Sequence, residues 1–317
     1  LLRIRKKAAL LRIREKAALL RIREKAFDVV FDISIYLVMA FVLVITLYPF
    51  LNVLAISLNE SVDAMKGGIH IIPRKFTLDN YREIFKYSNL THAFLISVLR
   101  TVIGTLLSTV STCMLAYALS RKEFICRKFF TLVFIITMYV SGGLIPDYMN
   151  LRHLGLIGKF WVYILPGLIN TYNMIIVRSF IDNLPYSLQE SAKIDGANDF
   201  AIFRKIVMPL CMPVIATVAL FVAVGQWNSW MDTYLYANSK PELSTLQYEL
   251  MKVLTNTSAA QDASRIDPNS PLARRSFVSP QSIRMAITIV AAVPILVVYP
   301  FLQKYFVTGL TIGAVKA

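Results

Sequence analysis

Long apolar runs alternate with polar stretches along this chain, and their lengths set the first expectation. A bilayer core takes about 20 residues of helix. Six runs reach that length, at 31–53, 94–119, 129–147, 161–181, 208–232 and 283–305. Ser141-Gly142-Gly143 and Pro146 interrupt the end of the third. The first is too long for the core of a secretory signal and has no convincing small-residue cleavage site, so it is expected to be retained. The pattern predicts an all-α polytopic membrane protein with six transmembrane helices. Composition agrees: charged residues are 17% of 317 and hydrophobic residues 56%, whereas a soluble domain carries about 25% charged residues.

Charge orients the six runs. Residues 1–26 carry net +8, the 120–128 turn +3, the 182–207 loop −1 and the tail +2. The loops on the opposite side, 54–92, 147–160 and 233–282, carry +1 each. Lys and Arg collect in cytoplasmic loops, so both termini are expected in the cytoplasm. The basic amino terminus then needs no nucleic acid to explain it. Cys113, Cys126 and Cys211 all fall outside the external loops, which argues against a disulfide framework. His70, His92 and His153 are scattered and make no metal site.

The amino terminus repeats a nine-residue unit three times: LLRIRKKAA, LLRIREKAA, LLRIREKAF. Nine residues turn a helix by about two and a half turns, so the apolar patch changes face at each copy. A single amphipathic seam is disfavoured, and so is a heptad coiled coil. Residues 1–30 are expected to form a basic cytoplasmic arm near anionic lipid, or a duplicated extension without function. The remainder, 31–317, would be the transmembrane domain. Its external loop 54–92 contains a candidate interfacial helix after Thr77, and 233–282 is polar and proline-bearing.

The polar stretch between the fourth and fifth runs is spaced too regularly for a casual connection. Glu190-Ser191-Ala192 is followed by Gly196, then nine residues, then Ile206-Val207-Met208-Pro209. Ser187-Leu188-Gln189-Glu190 has the form of a capping box, and Asp195-Gly196 is placed to end a first short helix. A second helix would put Phe200, Phe203, Ile206 and Val207 on one face, and Pro209 suits the start of the next span. Lys193, Arg204 and Lys205 offer charges to a partner or to lipid head groups. Within the spans, ionisable residues are functional candidates. Arg178 and Arg284 are expected to snorkel, while Arg100 either lines a pathway or pairs inside the bundle. Gln226, Trp227, Asn228 and Asp232, with Trp230, are placed to stack on and hydrogen-bond a polar solute; the alternative is an interfacial aromatic belt with helix-to-helix hydrogen bonds.

The 190–209 spacing resembles the Glu-Ala-Ala-x3-Gly-x9-Ile-x-Leu-Pro loop of maltose-type, binding-protein-dependent ABC sugar importer permeases, with Ser191 and Met208 as departures. Ile194-Asp195-Gly196-Ala197, Gln226-Trp227-Asn228 and the Tyr299-Pro300-Phe301…Gly309-Leu310-Thr311-Ile312-Gly313 ending resemble the sugar branch. Ser141-Gly142-Gly143-Leu144-Ile145-Pro146 resembles the alginate and aldouronate oligosaccharide subgroup. The resemblance covers 30–317. It implies a type I ABC importer permease fold in a bacterial inner membrane and a heterodimeric permease pair. It also implies two ATPase subunits that carry ATP and Mg, and an extracytoplasmic solute-binding protein delivering an oligosaccharide. On this resemblance Glu190, Ser191, Ala192, Asp195, Gly196, Arg204 and Pro209 couple to the ATPase. Thr308–Ala317 would also reach it, and 233–282 would probe the binding protein. Arg100, Gln226, Trp227 and Asn228 would line the substrate pathway.

No Gly-x4-Gly-Lys-[Ser/Thr] loop occurs, so the chain is expected to be a transport subunit and not an enzyme, with no cofactor of its own. Two rival classes remain at this level. An ion-gradient transporter would place paired acids at the midplane, and spans two to six offer only Asp232. A membrane scaffold leaves the 190–209 spacing unexplained.

Overall fold

The computed structural model describes residues 2–86, 88–255 and 279–314. Among them the backbone is helical, save for loops and one isolated bridge between Asn59 and Phe76. The first helix, α1 (Leu2–Ser57), runs 56 residues without interruption. No break in the helix marks the boundary expected near residue 30: the repeat continues into the first span as one helix. The cause is local. Leu, Arg, Lys, Glu and Ala are all strong helix formers, and no Gly or Pro precedes Pro49. Residues 27–50 of α1 are exposed on all sides, as befits a helix surrounded by lipid or by another apolar subunit.

Beyond α1, the 54–92 loop folds into a compact cap of α2 (Ser61–Ala64) and α3 (Asp79–Lys86). Its centre is polar and fully paired. The buried Asn80 donates to the carbonyls of Ser57 and Asn59 at 2.8 and 2.9 Å and accepts from the Ser61 hydroxyl. Asn59 donates to Asp63, which also accepts from Arg74 Nε at 3.0 Å. The Asn59 hydrogen bond and the Arg74 guanidinium hold the Asp63 carboxyl below its ordinary range against the opposing effect of burial.

The membrane part follows as α4 (Ser88–Ser120), α5 (Arg127–Tyr139), α6 (Leu144–His153), a 3-10 turn (Phe160–Tyr163) and α7 (Thr171–Asp182). Then come α8 (Tyr186–Ile194), α9 (Asp199–Ile202), a π-helical turn (Phe203–Val207) and α10 (Met208–Leu210). The chain continues through α11 (Met212–Asn228), α12 (Met231–Tyr236), a 3-10 turn (Pro241–Leu243), α13 (Leu246–Thr255) and α14 (Pro280–Ala314). Among the described residues, three helical stretches are long and apolar enough to cross a bilayer outright: Phe27–Ser57, Leu90–Ser120 and Gln281–Val298. A fourth arises if Asp199–Leu210 and Met212–Asn228 are one span bent by 83°.

The third and fourth expected runs are not continuous helices. Gly143, with φ of +88°, takes a conformation that L side chains rarely adopt, and it separates α5 from α6. Between the 3-10 turn and α7 the chain is irregular through Pro166 and Gly167, and Asn170 caps α7 by accepting from the Asn173 amide at 3.0 Å. At 1.5 Å per residue α5 and α7 span only about 20 Å, short of the bilayer core of about 30 Å. The 233–282 stretch is likewise only partly a loop. The first residues of α13 pack between α4 and α14, with Leu246 buried and its amide donating to Ser97 Oγ at 2.8 Å. Residues 256–278 and the extreme tail 315–317 lie outside the described residues.

Replacing Asn80 with Ala removes the donor that two buried carbonyls share. Each carbonyl left unpaired costs about 1–3 kcal/mol. Limited proteolysis of the reconstituted protein should show faster cleavage between residues 58 and 86; unchanged cleavage would mean that the cap is held by something else.

Candidate functional site

Two regions of the described residues gather chemistry, one at each end of the same helix seam. The first is the 186–211 segment. Helix α8 begins with Pro185 at its N-cap and no side-chain cap bond. The capping-box expectation is therefore corrected. Ser187 already lies within the first turn, too late to cap it, and Glu190 is exposed. The helix ends as the Asp195-Gly196 pair suggested. Gly196 has φ of +79°, its amide donates to the Lys193 carbonyl at 3.0 Å, and the Ala197 amide donates to the Ala192 carbonyl at 2.9 Å. This pair of bonds is a Schellman closure, which needs a left-handed residue at that position. Asn198 then caps α9, its Oδ1 accepting from the Ala201 amide at 2.8 Å.

The segment is anchored by apolar burial. Ile202, Phe203, Val207 and Cys211 are buried together with Cys113, Ala116 and Tyr117 of α4, with Met174, Val177 and Ile181 of α7, and with Val214 and Val218 of α11. Phe200, expected on the same face as Phe203, is instead exposed, and Ile206 is only partly buried. The reason is the π-helical turn, which widens the helix just before Pro209, a residue without an amide to donate. Pro209 does not open the long helix as expected. It lies in α10, and α11 starts beyond the bend with Pro213 in its first turn, where a missing N–H costs little. Facing outward are Glu190, Ser191, Asp195 and Arg204, with two large apolar side chains, Ile194 and Phe200, at 84% and 62% exposure. Ala192 is half-buried against the core.

A second anchor joins this segment to the 121–126 turn. Arg121, only 8% exposed, donates to Gln189, pairs with Asp199 at 3.2 Å and lies over the Tyr117 ring. Glu123 accepts from Lys193 at 2.6 Å and from the Tyr186 hydroxyl at 2.9 Å. The Lys193 hydrogen bond, a backbone bond and the Tyr186 hydroxyl push the Glu123 carboxyl down to about 2. In the sequence, the charges of this turn speak only to orientation. The signal available was the density of charge on both short segments, without a register to pair them.

At the other end of α4 and α11 lies a polar cleft of about 530 Å³. Arg100 of α4 projects into its wall at 2% exposure. Its guanidinium donates to Gln226 Oε1 at 3.0 and 3.1 Å, to both Asp232 oxygens at 2.5 and 3.2 Å, and to the Ser229 carbonyl at 3.3 Å. It also sits 4.5 Å from the centre of the Tyr163 ring. Gly104, one turn along α4, makes room for Gln226: an added Cβ there would come within 3.0 Å of its side chain. Asn170, Tyr172, Asn173 and Tyr236 complete the polar lining. Arg100 thus pairs inside the bundle and also borders the cleft.

Trp227 and Asn228 are not brought into this cleft. The Trp227 indole donates to the Ala291 carbonyl of α14 at 2.9 Å and meets Phe94 edge-on. Asn228 accepts from Gln247 at 3.3 Å. Neighbours on a helix point about 100° apart, so Gln226 and Trp227 serve different sides of α11. Arg178 donates to Thr131 and pairs with Asp182 at 3.5 Å, tying α7 to α5. The irregular stretch at 164–170 and the break at Ser229 both border the cleft. Unpaired backbone at membrane depth is tolerated where it lines a cavity, so these breaks mark the cleft independently of its side chains. Pro166-Gly167, inside an expected span, was the sequence signal that went unused.

The comparisons agree with this geometry. A family model described as "Binding-protein-dependent transport system inner membrane component" matches residues 17–312, and the chain belongs to that family. It is 40% identical over 287 residues to the polygalacturonan/rhamnogalacturonan transport system permease protein YtcP of Bacillus subtilis (strain 168), covering 90% of this chain and 98% of the relative. It is 29% identical to the arabinooligosaccharides transport system permease protein AraQ of Halalkalibacterium halodurans, over 87% of this chain and 94% of that one. Its fold matches a chain from the crystal structure of a bacterial ABC transporter involved in the import of the acidic polysaccharide alginate. The TM-score is 0.77 at 25% identity, over 88% of this chain and 97% of that one. The chain is therefore an all-α ABC permease subunit of the type I fold, an inner-membrane component and not an enzyme.

Protonating Glu123 should loosen the second anchor. Because its folded value lies below the ordinary 4.5, the contribution is complete above that value and is lost as pH falls from it to about 2. The protection of the amides of residues 186–194, relative to their intrinsic exchange rates at each pH, should fall across that window, and Glu123→Gln should give the lower protection already at pH 7. Equal exchange in both proteins at pH 7 would contradict the anchor.

Proposed function

We propose that this permease subunit pairs with a second permease and two ATPase subunits, and that it imports an acidic oligosaccharide handed over by an extracytoplasmic binding protein. ATP and Mg are assigned to the ATPases. The observation that carries the coupling part is the shared core: the 186–211 segment is buried against the inner ends of α4, α7 and α11, the helices whose outer parts border the cleft. A push on the segment therefore moves the walls of the cleft. Glu190, Ser191, Asp195 and Arg204, with Ile194 and Phe200 beside them, form the surface offered to an ATPase, while Ala192, Gly196 and Pro209 shape it. With the charge asymmetry, this reading puts that surface and both termini in the cytoplasm.

The substrate class rests on two relatives named for pectic and alginate polysaccharides and on the cleft itself. Asn170, Asn173, Tyr172, Tyr236 and Gln226 suit sugar hydroxyls, and Arg100 supplies a cation at the wall. Membership of a binding-protein-dependent family removes the ion-gradient and scaffold alternatives.

Glu190→Ala and Gly196→Ala should each uncouple transport from ATP hydrolysis while leaving membrane insertion intact. At φ of +79° an alanine meets no neighbour within 4 Å, so the cost is backbone strain of about 1–2 kcal/mol at the docking turn. The check is sugar uptake per ATP hydrolysed by the complete complex in proteoliposomes. Wild-type coupling in both variants would overturn the assignment.

A further inference from the structure

We infer that Arg100 is the residue that reads the carboxylate of an acidic sugar, and that Asp232 occupies its place while the cleft holds no sugar. This rests on the acidic-substrate reading above and goes beyond it by assigning the recognition to one ion pair. Arg100 and Asp232 meet in the two-pronged geometry with which guanidinium groups bind carboxylates. A uronate carboxylate has the same planar shape, charge and pair of acceptor oxygens. It can replace Asp232 oxygen for oxygen without changing what Arg100 donates.

The two partners are held very differently. Arg100 stands on the continuous helix α4, with Tyr163 under its guanidinium and Gln226 and the Ser229 carbonyl as further acceptors. Those neighbours keep it aimed and partnered whichever carboxylate is bound. Asp232 sits on the six-residue helix α12, just past the break in α11 at Ser229, and is 20% exposed at the cleft wall. Movement of α12 beyond Ser229 would free the guanidinium without disturbing α4. A buried guanidinium is costly to leave without a counter-ion, so a resident carboxylate in the wall is the expected resting state of such a receptor. Exchange of one carboxylate for another keeps the guanidinium paired throughout, with the released Asp232 left facing the open cleft, and a neutral oligosaccharide has nothing with which to displace Asp232. The amino-terminal end of α7, at the Asn170 side of the cleft, adds a partial positive charge of the same sense.

The pair can be tested by the sign of two substitutions. The complete complex is reconstituted in proteoliposomes with its binding protein, and initial uptake of labelled trigalacturonate is measured at low concentration. Arg100→Gln should lower uptake about tenfold or more, the size of one lost charge-assisted bond. Asp232→Asn removes the competitor and should raise uptake above the wild-type rate. The double variant R100Q/D232N leaves no unpaired charge. It should assemble with its partner subunits yet stay as deficient as R100Q. If R100Q alone fails to assemble, the double variant carries the same comparison. The inference is overturned if D232N loses uptake as R100Q does and the double variant recovers it, for the pair is then only a brace between α4 and α12. If the wild-type complex itself takes up no trigalacturonate but does carry a neutral oligosaccharide, the acidic-substrate reading has failed instead.

Discussion

The close seam between α4 and α11 is the constraint from which the rest of this structure follows. At its outer end Gly104 lets Gln226 come near enough to share the Arg100 guanidinium. At its inner end Cys113, Ala116 and Tyr117 of α4 lie in one buried cluster with Val207, Cys211, Val214 and Val218. A membrane interior cannot hydrate a stray guanidinium or an open carbonyl, so each must find its partner in the protein. The seam supplies those partners, and the helix breaks at 164–170 and at Ser229 are placed where a cleft can accommodate them.

Rigidity and compliance are divided along the chain accordingly. The 83° bend at Cys211 turns the 199–210 segment across the foot of α11. The Schellman closure at Gly196 turns α8 back, and the ion pairs of Arg121 and Glu123 fasten both to the 121–126 turn. Exposed Ile194 and Phe200 remain on the surface of this clamp, away from its buried side. The cap is rigid in another way, through buried asparagines instead of apolar packing. Helix α12, short and beyond the break, carries Asp232 into the cleft wall and is held by the Thr233–Thr245 hydrogen bond and by the Gly158 amide, which donates to the Tyr236 carbonyl.

Much of this was legible in the sequence. Run lengths gave the helical membrane class. The Glu190…Gly196…Pro209 spacing marked the two-helix segment, because a left-handed glycine and a proline each leave a positional signature. Ser141-Gly142-Gly143 announced the end of α5. Other features were hidden for physical reasons. Hydropathy cannot separate a continuous span from one broken at Pro166-Gly167, since both are equally apolar. A Ser-x-x-Glu pattern names a possible cap but not the helix start, which Pro185 fixes two residues earlier than required. The direction of Trp227 depends on the rotation of α11 about its axis, and the partners of Arg121 and Arg100 lie far away in the chain. Nothing in the nine-residue repeat showed that it would join the first span without a break, beyond the lack of a helix breaker.

The central claim is that the 186–211 segment and the foot of α4 move as one body when the transporter works. Spin labels at Ile194 and at Ile125, both highly exposed, report this directly through pulsed dipolar distance measurement on the complete complex. The account predicts one distance that stays the same with and without bound ATP, while the cleft opens and closes. A distance that shifts or splits on ATP binding would mean that the segment slides on the bundle, and that the shared core does not carry the motion.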